Sequence, residues 1–165
     1  MQTKSLVLIL LLTANTCMLL AQSDKRIALY NPQADAQAQI DSVVQLAHQN
    51  GKHVLLQVGG NWCSWCIRFH QFCQNDPHLD SLIQASYVTL KVNYSKENPN
   101  PEVLATLGYP QRFGFPVFVV LDGKGQRLHT QDSGYLEQGG SYDRMKVELF
   151  FRNWSPKALN PESYR

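Results

Sequence analysis

The sequence predicts an α/β fold, a central mixed β-sheet flanked by helices on both faces. Three observations predict it. A helical apolar period over 35–49 runs into a short, mostly apolar segment at 53–58. The same helix-then-strand order repeats as far as residue 93. Two further strand-like segments flank Asp122-Gly123-Lys124-Gly125, which has the composition of a hairpin turn. Alternating helices and strands call for parallel pairing through crossovers, and a closing hairpin adds antiparallel strands.

Each element has its own reason. Ile40, Val43, Val44 and Ala47 recur at i, i+3, i+4 and i+7, and Asn50-Gly51 tolerates the left-handed cap that ends such a helix. His53 to Val58 has the apolar run of a strand covered on both faces. Gly59-Gly60-Asn61 is a turn, and the next helix runs from Cys63 to about Phe72. Asn75-Asp76-Pro77 breaks it, and His78 to Ser86 forms a second piece with Leu79, Leu82 and Ile83 on one face. Tyr87 to Asn93 is rich in β-formers. Asn100-Pro101-Glu102 starts a short helix with a cap, a first-position proline and an early acid, and Gly108 ends it. Val117 to Leu121 and Gln126 to Thr130 are the hairpin strands. Ser141 is expected to cap a last helix to Trp154, buried along Val147, Phe150, Phe151 and Trp154. Arg26 to Tyr30 reads as a leading edge strand.

The chain opens MQTKSLVLILLLTANTCMLLAQS. A basic residue, Lys4, then an apolar run and the small Ala21 are the layout of a secretory signal peptide. The run is interrupted by Thr13, Asn15 and Thr16 and is shorter than the roughly 20 residues that span a bilayer. Residues 1–21 are read as a signal peptide, 22–34 as an N-terminal segment, 35–154 as one domain and 155–165 as a polar, loosely held tail. Cys17 raises lipoprotein anchoring, but Thr16 before it and Met18-Leu19-Leu20 after it speak against that. The expected location is periplasmic or secreted.

With 15 Lys and Arg against 13 Asp and Glu, the net charge is +2. No block of like charge appears, so neither nucleic acid nor an anionic membrane surface is an expected partner. Beyond Cys17, the cysteines are Cys63, Cys66 and Cys73, too few for a disulfide-stapled scaffold.

The stretch GNWCSWCIRFHQFC concentrates the chemistry. On a helix starting at Cys63, Cys66, His70 and Cys73 share one face with Cys63 slightly to the side. Cys63 and Cys73 are nevertheless roughly 15 Å apart along the axis. Metal ligands must meet one ion at about 2.0–2.3 Å, so these four cannot converge, and no metal is expected. Cys66 and Cys73, about 10 Å apart, exceed the roughly 7 Å that a disulfide spans, whereas Cys63 and Cys66 are one turn apart and can bridge. Cys73 is read as a small apolar core residue and His70 as structural. At the helix start, unpaired N–H groups and the helix dipole favour a Cys63 thiolate as attacking sulfur. Cys66, one turn in, is placed to resolve a mixed disulfide.

At these residues the chain resembles the thioredoxin family. Gly51 to Cys66 is similar to the strand–turn–helix carrying that family's redox centre, in the exported form with a W-C-x-W-C core. Leu90 to Asn93 is similar to the next strand, and Gly114 to Val120 to the family's cis-proline loop and strand. The resemblance implies a thioredoxin-like fold, a redox pair at Cys63 and Cys66, a cis Pro116 beside it, and pairing of the Phe115 backbone with an extended client. Trp62 would pack beside the centre as the family tryptophan, and Trp65 would be an exposed client contact. The chain departs from the family at Gln57, where many members carry a buried acid that assists proton transfer; water, Lys91 or another group must serve instead.

The expected function is an extracytoplasmic thiol–disulfide oxidoreductase that reduces or isomerises client disulfides, with no cofactor. Client proteins with disulfides are its expected partners, and the resemblance implies a membrane-bound thiol electron donor. A thioredoxin-fold binding or chaperone-like module without turnover is the alternative, and a heme- or metal-handling thiol protein a third.

Overall fold

The computed structural model describes residues 28–165. The expected signal peptide, Cys17 and the start of the expected leading strand lie outside the described residues. The elements are α1 (Ala36–Gln49), β1 (His53–Gly59), α2 (Ser64–Gln74), α3 (Pro77–Ser86), β2 (Tyr87–Asn93), α4 (Pro101–Thr106), β3 (Val117–Leu121), β4 (Arg127–Asp132), β5 (Glu137–Gln138), β6 (Ser141–Tyr142) and α5 (Arg144–Asn153). The main sheet has the order β2-β1-β3-β4. β1 is parallel to β2 and antiparallel to β3, which is antiparallel to β4. This is the mixed sheet that the sequence predicts.

The period-2 geometry of β1 distributes the core. Val54, Leu56 and Val58 face α1 and α4, packing with Ile40, Ala47, Val103 and Leu104. Leu55 faces the other way, where Phe69 and Cys73 of α2, Leu79 of α3 and Val147, Phe150 and Phe151 of α5 close the second core with Phe118 and Val120. Gln57 shares the Leu55 side of the strand. A polar residue, 2 % exposed, therefore sits beneath α2.

Several termini differ from expectation. Ser141 belongs to a two-residue strand pairing with Glu137–Gln138, and Asp143 caps α5 by accepting from the Lys146 N–H at 2.9 Å. A carboxylate at that position serves the helix start as well as a hydroxyl does. Asn100 has left-handed backbone (φ 48°) and no side-chain cap bond; its amide donates to the Asn93 carbonyl instead. Ala28 to Tyr30 form no strand. The tail is better held than its composition suggests: Pro161–Tyr164 is a 3-10 turn, and the Tyr164 hydroxyl donates to the Ala158 carbonyl at 2.7 Å. No helix among the described residues is long and apolar enough to cross a membrane.

Candidate active site

β1 delivers the chain to the end of the sheet, where Gly60-Asn61-Trp62 turns it into α2. The Cys63 N–H donates to the Gly60 carbonyl at 3.0 Å, tightening that turn. Cys63 is the N-cap of α2, and its Sγ accepts the Cys66 backbone N–H at 3.1 Å. Sulfur thus takes the position that a serine or aspartate oxygen usually fills at a helix start. Cys63 and Cys66 are joined in a disulfide with Cα atoms 5.2 Å apart. The two sulfurs are not equivalent: Cys63 is 5 % exposed and Cys66 fully buried. Of the two, only Cys63 retains any exposed surface.

Around the pair lies a shell of aromatics. The Phe115–Pro116 peptide is cis, as the family resemblance implied. Val117 pairs with Val58, so the buried Pro116 sits at the end of the sheet where Gly59 leads into the cysteine turn. Phe115 packs against the cysteine cluster, stacks on Tyr94 and meets the Trp62 ring edge-on at 5.4 Å. Trp62 is 58 % exposed, and its indole N–H donates to the Tyr94 carbonyl at 2.8 Å, which fixes the ring as one wall of a cleft of about 520 Å³. Trp65 is the less open of the two tryptophans. Tyr142 packs on its edge and donates to its carbonyl, while the Arg68 guanidinium lies 4.6 Å over its ring. Arg68 also donates to the Gly140 carbonyl, so it is anchored rather than freely solvated.

Beneath the pair, Gln57 organises a polar network. Its Nε2 donates to the Cys66 carbonyl at 3.0 Å and to the Tyr30 hydroxyl at 2.9 Å, and its Oε1 accepts from Lys91 Nζ at 2.5 Å. Burial lowers the Lys91 pKa to about 8. Lys91 also borders a cavity of about 270 Å³ shared with Gln57, His70, Cys73 and Asp80. Burial pushes the Cys73 thiol up to about 12, and burial, with Lys91 nearby, holds His70 below its ordinary value. Cys73 is free and buried, the core role expected of it. Among the described residues no group of three or more His, Cys, Asp and Glu could hold a metal ion.

The sequence pattern of the thioredoxin-like family matches residues 35–123, more than half of the chain. The chain belongs to the thioredoxin-like family. Over 93 residues, 56 % of this chain, it is 27 % identical to the thiol:disulfide interchange protein DsbD of Salmonella typhi. It spans only 16 % of that protein's length. Among solved structures, the disulphide isomerase from Xylella fastidiosa Temecula1 superposes with a TM-score of 0.68 at 24 % identity, over 77 % of this chain and 96 % of that one. This likeness shows a shared thioredoxin-like fold.

Two members of the site escaped sequence reasoning. Asn61 accepts the Leu29 and Tyr30 N–H groups, both at 2.9 Å, and donates to the Tyr30 carbonyl at 2.8 Å. It thereby fastens a strandless segment across the cysteine turn. Tyr30 itself, 3 % exposed, packs with Cys63 and Cys66. No periodic pattern marks such a residue. The only cue was an aromatic closing the short apolar run Ile27-Ala28-Leu29, next to Asn31-Pro32.

Proposed function

We propose that the protein is a thiol–disulfide oxidoreductase that reduces or isomerises client disulfides outside the cytoplasm. The observation that carries this reading is the unequal pair: Cys63 capping α2 and 5 % exposed, Cys66 fully buried one turn behind it. In the reduced protein, the helix start stabilises Cys63 as a thiolate. That thiolate attacks a client disulfide, forming a mixed disulfide and releasing one client thiolate. Cys66 then attacks the Cys63 sulfur, the client's second thiolate leaves, and the Cys63–Cys66 bond closes. Two electrons have moved to the client, and a thiol donor must return them. The expected donor is a membrane-bound thiol protein, and the expected location the periplasm or the cell exterior.

Trp62 and Phe115 form the apolar surface next to the Cys63 sulfur, with Pro116 behind it and Trp65 on the α2 side. A client segment lying against these residues brings its disulfide to Cys63. The DsbD similarity supports the reading in its chemistry, over the matched segment.

The test is trapping with Cys66→Ala, together with reduction of a model protein disulfide by wild type supplied with dithiothreitol. Cys63-linked client complexes and catalysed reduction are the expected results. Absence of both would sink the enzyme reading in favour of a binding module.

A further inference from the structure

Tyr30 stands beside the exchange pair, and the backbone between them is shaped to let it. A Cβ on Gly59 would collide with Cys66 Sγ and stand only 2.9 Å from the Tyr30 hydroxyl. Sulfur and hydroxyl close over the same point of β1, and glycine leaves them the room. Asn61 holds the Tyr30 backbone in place with its three hydrogen bonds.

The direction of the hydroxyl proton follows from its neighbours. Lys91 as an ammonium can only donate, and it is bonded to Gln57 Oε1. Gln57 must therefore turn its NH₂ group toward Cys66 and Tyr30. Because Tyr30 Oη accepts from Gln57, its own proton is left to be donated elsewhere. Among the described residues the hydroxyl donates to none. Burial raises the phenol's pKa, so that proton stays on oxygen through the working range. Lys91, reaching in from β2 through Gln57, is the charged group joined to this network.

Cys66 has need of such a donor. It lies inside the helix, away from the free N–H groups that serve Cys63, and a buried thiolate without hydrogen bonds is strongly disfavoured. We infer that, once the disulfide is reduced, the Tyr30 hydroxyl donates a hydrogen bond to the Cys66 sulfur and holds it as the thiolate that resolves mixed disulfides. The inference rests on the oxidoreductase reading and adds a residue to that centre. The Cys66 proton leaves to solvent first. The Cys66 thiolate then attacks Cys63 Sγ, the Cys63–Cys66 bond forms, and the Cys63–client bond breaks with its electron pair going to the client sulfur. Tyr30 keeps its proton throughout.

Single-turnover reaction of the reduced protein with dithiobis-nitrobenzoate separates the two steps. The first nitrothiobenzoate released reports attack by Cys63, the second closure by Cys66. Tyr30→Phe is expected to leave the first rate within about twofold and slow the second roughly tenfold at neutral pH, the scale of one charge-assisted hydrogen bond. The gap should close as pH rises and Cys66 ionises unaided. Equal second rates at every pH overturn the inference while leaving the oxidoreductase reading intact. A wild type that releases neither product brings down both. Because Tyr30→Phe also removes a partner of Gln57, the wild type supplies an independent readout. The ¹³Cζ resonance of Tyr30 in the reduced protein should shift with the titration of Cys66, and a resonance blind to that titration overturns the inference.

Discussion

Two regions of one helix carry thiols of opposite character. At the start of α2, Cys63, 5 % exposed, accepts a backbone N–H on its sulfur. Near the end of the same helix, Cys73, 6 % exposed, belongs to the second core with Phe69, Leu79 and Tyr87. Burial holds its thiol up at about 12. Residue type is identical, sequence separation is small, and the helix is continuous. What separates them is the helix terminus, which supplies unsatisfied donors and a positive dipole end at one place and nothing at the other. Thiol chemistry here is therefore a property of position.

The largest effect expected from breaking this contrast is on turnover. Cys63→Ser should reduce disulfide reduction to the uncatalysed rate, while Cys73→Ala should leave it within about twofold of wild type. A Cys73→Ala protein that loses turnover would show that the two regions are not independent.

Next is the scaffold of the front region. Asn61→Ala removes three hydrogen bonds and should cost about 3 kcal/mol of stability in urea unfolding, taking each at about 1 kcal/mol. Hydrogen exchange at Leu29 and Tyr30 should accelerate with it. Gly59→Ala drives a methyl into Cys66 and should cost about 1–3 kcal/mol by the same measurement. A variant as stable as wild type would mean that the sulfur has room to move.

Two pH slopes of opposite sign complete the comparison. Cys73 has a folded-state pKa raised from 9.0 to about 12, so its contribution is full below about pH 9 and is lost as pH climbs toward 12. Lys91 is lowered from 10.5 to about 8, so the unfolded chain binds more protons between those values and stability rises with pH there. Unfolding free energies of wild type minus Cys73→Ala should fall across the first window. Those of wild type minus Lys91→Met should rise across the second. Parallel slopes would contradict the assignment.

The fold was legible because its signals are local and redundant. Strand Tyr87–Asn93 coincides with its β-forming run, and the parallel crossover with the helix before it. The exchange pair was legible because one helical turn is the only spacing in the stretch that a disulfide spans. Asp143 was missed as a cap because Ser141 offers an equally good capping side chain two residues earlier, and only the β5–β6 pairing decides between them. The Gln57 network was half legible: Lys91 stood out as a possible proton partner, but Tyr30 did not. Its bond spans 27 residues and depends on Asn61, itself 31 residues away along the chain. Such long-range contacts leave no period in the sequence.

Site-resolved alkylation of the reduced protein tests the positional claim most directly. Modification by iodoacetamide, followed by mass spectrometry at each cysteine across pH, should show Cys63 reacting near neutrality. Cys66 should react more slowly, and Cys73 not at all until the protein unfolds. Cys73 reacting as fast as Cys63 in the folded protein, or Cys63 reacting no faster than a free thiol at neutral pH, would contradict it.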